Sequence, residues 1–178
     1  MRIIAGSKRG HKLAGFDGTD IRPTTDRVKE SMFNLIQDHI SGSRVLDLFG
    51  GSGALSFEAL SRGAVSAVCI DSNRDSIAVI KKNRDALGFD NIDIRSCDAI
   101  AFLDSCDGEF SLIFLDPPYN KGFIPPVIGK IVENGILSED GIIVLESDFS
   151  DEHGDFEGLR KYKQKKYGRS YVTVYKRG

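Results

Sequence analysis

Apolar runs alternate with helical patterns from residue 44 onward, which predicts a parallel sheet with crossover helices. The expected strands lie near 44–49, 65–70, 91–95, 110–115 and 140–146. The expected helices lie near 53–62, 73–87, 99–104 and 123–134. Alternating valines predict a final antiparallel hairpin at 162–175. Together these elements indicate an α/β fold with a mostly parallel seven-stranded sheet that ends in an antiparallel hairpin.

Two further elements are expected before the sheet. Residues 1–16 are expected to form a small β-hairpin with a basic turn. Residues 24–40 are expected to form a helix, because apolar residues recur there at helical spacing. That stripe consists of Val28, Met32, Leu35 and Ile36. We therefore expect one domain, 1–178, in which an N-terminal extension (1–40) precedes the core (41–178).

The composition suits a single folded unit inside the cell. A chain of 178 residues can bury roughly 70% of the surface that its unfolded form exposes. Its three cysteines are odd in number and fall in or near predicted strands, so we expect reduced thiols. We see neither a signal peptide nor a membrane-spanning stretch, and we expect a cytoplasmic protein.

The formal net charge of −2 hides a strong asymmetry along the chain. Residues 1–30 carry a net charge of +3, residues 159–178 carry +8, and residues 31–158 carry −13. Such basic ends can bind a polyanion if they fold onto one face of the protein. Alternatively, the lysines of 161–166 only keep an edge strand from aggregating. The sequence leaves both interpretations open.

The apolar run 111–115 leads directly into Asp116, Pro117, Pro118 and Tyr119. Each proline lacks an N–H and fixes φ, so the turn offers carbonyl oxygens, a carboxylate and an aromatic ring, but few donors. These groups suit an exocyclic amine of a nucleobase, whose two hydrogens need two acceptors while the base stacks on the tyrosine. The competing interpretation is a stiff turn without chemistry.

A second motif lies upstream, where the first strand enters a glycine-rich loop at 50–53 and then a helix. This order is typical of a loop that binds a nucleotide-type cofactor. The dinucleotide pattern is met only weakly, because Ser56 replaces the third small residue. Asp47 precedes the loop, where a carboxylate repels pyrophosphate but attracts the ammonium and sulfonium groups of S-adenosylmethionine. The charge therefore favours S-adenosylmethionine.

Two acids end the next two strands. Asp71, which lies 18 residues beyond Gly53, can accept hydrogen bonds from both ribose hydroxyls of an adenosine-containing cofactor. Asp98 is placed to accept from an adenine amino group, or else to cap the helix that follows. Ser72 and Ala99 adjoin these two acids and complete the predicted cofactor site.

In this order, the glycine loop, the strand-end acids and the Asp-Pro-Pro-Tyr turn resemble the Rossmann-like class I methyltransferases of exocyclic amines. The chain is most similar to the bacterial small-subunit ribosomal RNA guanine-N2 methyltransferase family, nearly from end to end. The similarity is carried by residues 1–6, 22–34, 45–49, 58–64 and 167–168. The first two stretches are the specific ones, since the other motifs occur throughout a larger class.

The resemblance implies a role for each matching residue. The cofactor would be bound by Asp47, Gly50, Gly51, Gly53, Asp71, Ser72, Asp98 and Ala99. The target guanine would be held by Asp116, Pro117, Pro118 and Tyr119. The RNA would contact Lys8, Arg9, Arg22, Thr24, Arg27, Lys163, Lys165 and Lys166. Three positions depart from the family pattern: Gly51 replaces the commoner alanine, Ser56 the commoner glycine, and His11 an arginine.

The activity implied by the resemblance is methylation of guanine 966 of 16S ribosomal RNA on N2, in the small ribosomal subunit or its RNA. We expect direct in-line transfer from S-adenosylmethionine, without a metal or a covalent enzyme intermediate, by a monomer. Positioning of the two bound reactants should supply most of the rate enhancement.

Other functions are weighed against this one. A DNA adenine-N6 methyltransferase usually carries a target-reading region, but only 62 residues separate Gly53 from Asp116 and 59 follow Tyr119. A protein-amide methyltransferase usually has asparagine in place of Asp116 and does not need basic ends. A nicotinamide-dependent oxidoreductase or a non-catalytic RNA-binding module would leave Asp47 and Asp116 without a role.

Overall fold

The computed structural model describes residues 1–16, 24–118, 121–148 and 153–178, with residues 24 and 25 in their backbone only. The strands are β1 (Arg44–Asp47), β2 (Ser66–Asp71), β3 (Ile92–Ser96), β4 (Phe110–Leu115), β5 (Leu137–Asp148), β6 (Leu159–Tyr167) and β7 (Ser170–Arg177). The helices are α1 (Thr24–Leu35), α2 (Ala54–Ser61), α3 (Arg74–Leu87), α4 (Ala99–Asp104) and α5 (Ile124–Glu133), with a 3₁₀ turn at Gln37–His39. No helix in these ranges is long and apolar enough to cross a membrane.

The seven strands form one sheet in the order β3-β2-β1-β4-β5-β7-β6. The first five strands in this order, β3, β2, β1, β4 and β5, run parallel to one another. Strand β7 is antiparallel to both β5 and β6. The predicted α/β fold with its C-terminal antiparallel hairpin is therefore confirmed. Because the carboxyl ends of the parallel strands meet at one edge, the loops that follow them converge there.

Helices cover both faces of the sheet. Side chains of β4 alternate between the two layers: Leu112 and Phe114 pack with α1, α2 and α3, while Ile113 and Leu115 pack with α4 and α5. This is the pattern of a strand that is buried on both faces. Ile3 of the N-terminal segment joins the first of these cores. The division of the chain at residue 40 stays a prediction.

Several element ends differ from the predicted ones. Strand β5 begins at Leu137 rather than near residue 140, because Leu137 already pairs with Phe110 of β4. A bulge between Phe110 and Leu112 then shifts the register of the two strands. Residues 1–16 fold back on themselves, but they form a single bridge between Arg2 and Lys12. Much of their remaining hydrogen bonding goes to α2 instead of a second strand. These differences arise from tertiary contacts, which hydrophobic periodicity does not record.

Candidate functional site

Two adjoining cavities open where the carboxyl ends of the parallel strands meet. The first has a volume of about 560 Å³ and the second about 680 Å³. Both volumes are typical of sites for small-molecule ligands. Phe49, Gly51 and Asp116 line both cavities. A ligand in one cavity would therefore meet a ligand in the other beside Asp116.

Five of the predicted cofactor residues line the first cavity. They are Gly51, Asp71, Ser72, Asp98 and Ala99. They come from the loops after β1, β2 and β3, which converge because these strands are parallel neighbours. The structure thus places the glycine loop and the two strand-end acids around one space.

Asp71 holds the glycine loop in place. Its two carboxylate oxygens accept hydrogen bonds from the backbone N–H of Gly51 and of Asn73, both at 2.8 Å. A carboxylate can accept about four hydrogen bonds, so Asp71 keeps acceptor capacity toward the cavity. This capacity fits the two hydroxyls of a ribose.

Asp98 has the capping role that the sequence left open. Its Oδ1 accepts hydrogen bonds from the backbone N–H groups of Ile100 at 2.8 Å and Ala101 at 3.2 Å, at the start of α4. The same residue lines the first cavity. One side chain can therefore cap the helix and accept from a ligand amine.

Asp47 and Gly53 line neither cavity, and Gly50 lines only the second. The positive φ of +78° at Gly53 and a close approach to the ring of Phe57, which a Cβ atom would meet at 2.5 Å, require glycine there. At Gly50 a Cβ atom would lie 2.5 Å from the sulfur of Cys69. These two glycines are explained by the packing of the loop.

The Asp47 carboxylate is buried beneath the loop with only 1% of the residue exposed. Its Oδ2 accepts a hydrogen bond from Ser56 Oγ at 2.8 Å, while Oδ1 has no hydrogen-bond partner among the described residues. Burial raises the pKa of Asp47 to about 6, although hydrogen bonds from Ser56 and the Phe49 backbone oppose this shift. Its negative charge lies behind the loop and favours a cationic ligand without lining the cavity.

Asp47→Asn is expected to stabilise the fold at pH 8 by up to about 3 kcal/mol. The unfolded chain ionises Asp47 near its ordinary pKa and the folded chain only near 6, so wild-type stability falls as the pH rises between these values. Urea denaturation should show a gain about half as large at pH 5 as at pH 8. The exposed Asp90→Asn serves as control, and a gain independent of pH would contradict the expectation.

Strand register sets Asp116 beside a second carboxylate. Leu115 of β4 pairs in parallel with Leu145 of β5, so the next residues, Asp116 and Glu146, lie side by side. The Asp116 side chain is exposed, but it faces the two cavities, whose walls reduce its hydration. Burial, then Glu146, then Asp47 raise the pKa of Asp116 well above its ordinary value. A carboxylate of this kind is a better proton acceptor than a solvated one.

The rest of the predicted turn is only partly described. Pro117 and Pro118 line the first cavity beside Asp116. Tyr119 lies outside the described residues, as do Arg22 and the side chain of Thr24.

Several cavity residues escaped the sequence analysis. Phe49 lines both cavities, and its ring contacts that of Phe123 at a centroid distance of 5.8 Å. An aromatic residue directly before a glycine loop is a signal that could have identified Phe49. Glu146 and Arg169 line the second cavity, and their position depends on strand register and on the β6–β7 turn. Glu146 directly follows the apolar run 142–145, a signal that could have identified it, whereas no local pattern marks Arg169.

The six described residues of the predicted RNA surface line neither cavity. They are Lys8, Arg9, Arg27, Lys163, Lys165 and Lys166. Lys163 donates a hydrogen bond to the Leu35 carbonyl at 3.2 Å, so it has a structural contact. Lys165 and Lys166 are exposed and directly precede the turn at 167–170, which lines the second cavity.

Both ends of the chain reach the second cavity. Met1 and Phe16 line it from the N-terminal segment, and Tyr167 and Arg169 line it from the β6–β7 turn. The two basic segments, 1–30 and 159–178, thus both reach this cavity and contribute Lys29 and Arg169 to its lining.

Glu58 of α2 fastens the N-terminal segment to the core. Its fully buried carboxylate accepts hydrogen bonds from the backbone N–H of Ile4 at 2.8 Å and of Ala5 at 3.0 Å. It also pairs with Arg62 at 2.8 Å and with Lys29 at 3.3 Å. Burial lowers the pKa of Lys29, and Glu58 partly offsets this effect. The cluster thus joins the N-terminal segment to α1 and α2.

Gly6 allows the segment to approach α2 closely. A Cβ atom at this position, where φ is +82°, would lie 1.8 Å from the Ser61 carbonyl oxygen. The Ser61 hydroxyl donates to the Ala5 carbonyl at 2.6 Å, and the Ser7 N–H donates to the Ser61 carbonyl at 2.8 Å. These contacts hold the segment against the core, and with it one wall of the second cavity.

Metal ligands are not gathered at the site. Within the described ranges no group of three or more His, Cys, Asp and Glu residues could hold a metal ion.

Sequence comparison finds relatives over the whole chain. A family model described as conserved hypothetical protein 95 matches residues 1–176. YlbH of Bacillus subtilis (strain 168), whose name marks it as a candidate rRNA methyltransferase, is 40% identical over 182 residues and 99% of each chain. Ribosomal RNA small subunit methyltransferase D of Escherichia coli (strain K12) is 38% identical over 148 residues, 83% of this chain and 75% of the relative.

Structural comparison agrees. The solved structure of yhhF from Escherichia coli, named as a candidate methyltransferase, matches with a TM-score of 0.89 at 34% identity. The match covers 99% of this chain and 97% of the yhhF chain. PH1948 from Pyrococcus horikoshii has a TM-score of 0.72 at 17% identity, which concerns the fold alone. This chain belongs to the conserved hypothetical protein 95 family, the family of the ribosomal RNA small subunit methyltransferase D proteins, and has its Rossmann-like α/β methyltransferase fold.

Proposed function

We propose that this protein transfers a methyl group from S-adenosylmethionine to the N2 amine of a guanine in small-subunit ribosomal RNA. The observation that carries the proposal is the position of Asp116, whose carboxylate lies where the two cavities meet. One cavity would hold the cofactor and the other the flipped base, so that the acceptor amine and the methyl group meet beside this carboxylate.

The substrate class is supported by the relatives. Ribosomal RNA is named as the substrate of proteins that are 38% and 40% identical to this chain. By resemblance the target is guanine 966 of 16S ribosomal RNA. The partner would be the small ribosomal subunit or its RNA, and the enzyme would act as a monomer.

Residues of the first cavity fit S-adenosylmethionine. Asp71 would accept from the ribose hydroxyls and Asp98 from the adenine amino group, while Gly51 of the glycine loop would face the methionine part. The buried charge of Asp47 would favour the positive charges of the cofactor through the field alone, because this residue lines neither cavity. When bound, the cofactor supplies a methyl group activated by a sulfonium charge.

Asp116 would act on the acceptor amine. Its carboxylate would accept a hydrogen bond from one N2–H, and the Pro117 carbonyl would accept from the other, which favours a pyramidal nitrogen with its lone pair toward the methyl group. Formation of the N–C bond with loss of the S–C bond would require the amine to lose a proton, which Asp116 would take. Stacking on Tyr119 would contribute about 1–3 kcal/mol toward the cost of unstacking the base.

Two observations favour this reaction over its rivals. A DNA adenine methyltransferase would need a reading region, but the described residues around the second cavity belong to the N-terminal segment, α1, the core loops and the β6–β7 turn. A folded RNA supplies its own shape and suits such a small enzyme. A protein-amide methyltransferase would not need the net charge of +8 on residues 159–178.

The double substitution Lys165→Gln, Lys166→Gln is expected to weaken RNA binding and to reduce its salt dependence. Each lost phosphate contact should lower the slope of log K against log salt by about 0.7 to 0.9. Titration of labelled ribosomal RNA between low and moderate salt measures this slope. The exposed pair Lys81→Gln, Lys82→Gln on α3 is the matched control. An unchanged slope would leave these lysines only as protection of the edge strand β6.

Label transfer from S-adenosylmethionine tests the substrate class. Small ribosomal subunits from a strain without the enzyme, naked ribosomal RNA, duplex DNA and a protein extract are offered in parallel. We expect label in the ribosomal RNA of the first or second sample. Label confined to DNA or protein would keep the fold and the cofactor but overturn the proposed substrate.

A further inference from the structure

The second cavity contains a pair of adjacent carboxylates at its junction with the first. Glu146 and Asp116 follow the paired residues Leu145 and Leu115 on parallel strands, so they are neighbours across the sheet, Asp116 just beyond the end of β4 and Glu146 two residues before the end of β5. Both residues line the second cavity. Strand pairing of β5 with β7 on its other side, where Glu146 faces Val172, fixes the backbone of Glu146. The sheet therefore sets the backbone positions from which the two carboxylates extend.

The closeness of the two acids has an electrostatic consequence. Two carboxylates side by side repel each other, and Glu146 contributes to the raised pKa of Asp116. Lys29 and Arg169 line the same cavity. A ligand edge that offers adjacent N–H donors can donate to both carboxylates at once.

Guanine has such an edge. Its N1–H and its N2 amine are neighbouring donors, and a carboxylate accepts from them. In adenine the atom beside the exocyclic amine is N1, an acceptor whose lone pair would face a carboxylate. The position next to the reacting amine is thus where a second carboxylate distinguishes the two purines.

We propose that Glu146 is a specificity-determining residue that accepts a hydrogen bond from N1–H of the target guanine while Asp116 holds the N2 amine. This inference rests on the proposed function and goes beyond it by assigning the residue that recognises the base. Asp116 alone reads only an amine, which adenine also has. Glu146 reads the donor beside it.

The base analogue 2-aminopurine tests this assignment. It carries the same amine at C2, but its N1 is an acceptor and it lacks the O6 oxygen. The wild-type enzyme is expected to prefer guanine over 2-aminopurine by roughly 10- to 100-fold in kcat/KM, since a polar mismatch at a base-reading contact costs that much. In Glu146→Gln the amide can donate to N1 of 2-aminopurine, and it accepts from guanine more weakly than a carboxylate.

The experiment uses small ribosomal subunits reconstituted with RNA that carries either base at the target position, and it measures kcat/KM for label transfer. Glu146→Gln should lower the value for guanine by roughly 10- to 100-fold and lower the guanine preference by a similar factor. Affinity for S-adenosylmethionine should stay at the wild-type level. Glu139→Gln, an exposed glutamate on the same strand, should leave both values unchanged.

The outcomes separate the inference from the function on which it rests. If the wild-type enzyme labels no guanine in ribosomal RNA, the proposed function fails. If it labels guanine but Glu146→Gln keeps the wild-type preference for guanine over 2-aminopurine, the inference is overturned. This holds whether or not kcat/KM falls for both bases. An equal loss on both bases would show that Glu146 only supports the site structure.

Discussion

Asp116→Ala is expected to lower kcat for methyl transfer roughly 100- to 10,000-fold, the usual contribution of a well-placed proton acceptor. The substitution removes the carboxylate from the junction of the two cavities and leaves the acids that would hold the cofactor in place. Asp116→Asn keeps one acceptor oxygen without the charge and should lose less. Single-turnover transfer with saturating cofactor and RNA measures both effects.

Loss of fold cannot account for this result. Asp116 is exposed and belongs to neither hydrophobic core, so the asparagine variant should unfold in urea with nearly wild-type stability. Calorimetric titration should find S-adenosylmethionine bound with nearly wild-type affinity. If the alanine variant loses cofactor affinity instead, the division of roles between the two cavities is wrong.

Glu58→Ala is expected to lower the free energy of unfolding by about 3–5 kcal/mol. The substitution leaves the backbone N–H groups of Ile4 and Ala5 without their acceptor and takes from buried Lys29 its counter-charge. An uncompensated buried charge is more costly than the loss of an exposed ion pair. Chemical denaturation measures the change, and hydrogen exchange at Ile4 and Ala5 should quicken.

The exposed Glu30→Ala on α1 is the matched control and should change stability by no more than about 0.5 kcal/mol. Glu58→Gln keeps the shape of the side chain but removes its charge. Its loss of unfolding free energy should therefore lie between those of Glu58→Ala and Glu30→Ala. Unaltered hydrogen exchange at Ile4 and Ala5 in Glu58→Ala would show that Glu58 does not fasten the N-terminal segment.

Much of the fold can be predicted because a doubly covered sheet leaves a simple pattern. Strands buried on both faces are continuous apolar runs, and the helices between them have amphipathic spacing and glycine ends such as Gly88, a left-handed residue after α3. The early start of β5 at Leu137 was missed, because it depends on pairing with β4 around a bulge. Pairing of this kind is a long-range property.

The site likewise contains residues that local sequence signals predict and residues whose positions depend on tertiary contacts. Asp71, Asp98 and Asp116 lie at or just beyond the carboxyl ends of β2, β3 and β4, and this position brings them to one edge of a parallel sheet. The place of Asp47 beneath the loop, and not in the cavity, depends on how the loop turns over it and on the hydrogen bond from Ser56. Glu146 becomes a neighbour of Asp116 only through register. Local signals identify residues at strand ends, whereas contacts across strands need the folded chain.

The identity of the methylated nucleoside tests the central claim most directly. Ribosomal RNA labelled by the enzyme is digested to nucleosides, and the methylated product is identified by mass spectrometry against standards. The position of Asp116 between the two cavities, with Glu146 beside it, predicts N2-methylguanosine. N6-methyladenosine, or a methyl group on carbon or ribose, would contradict the proposed roles of both carboxylates.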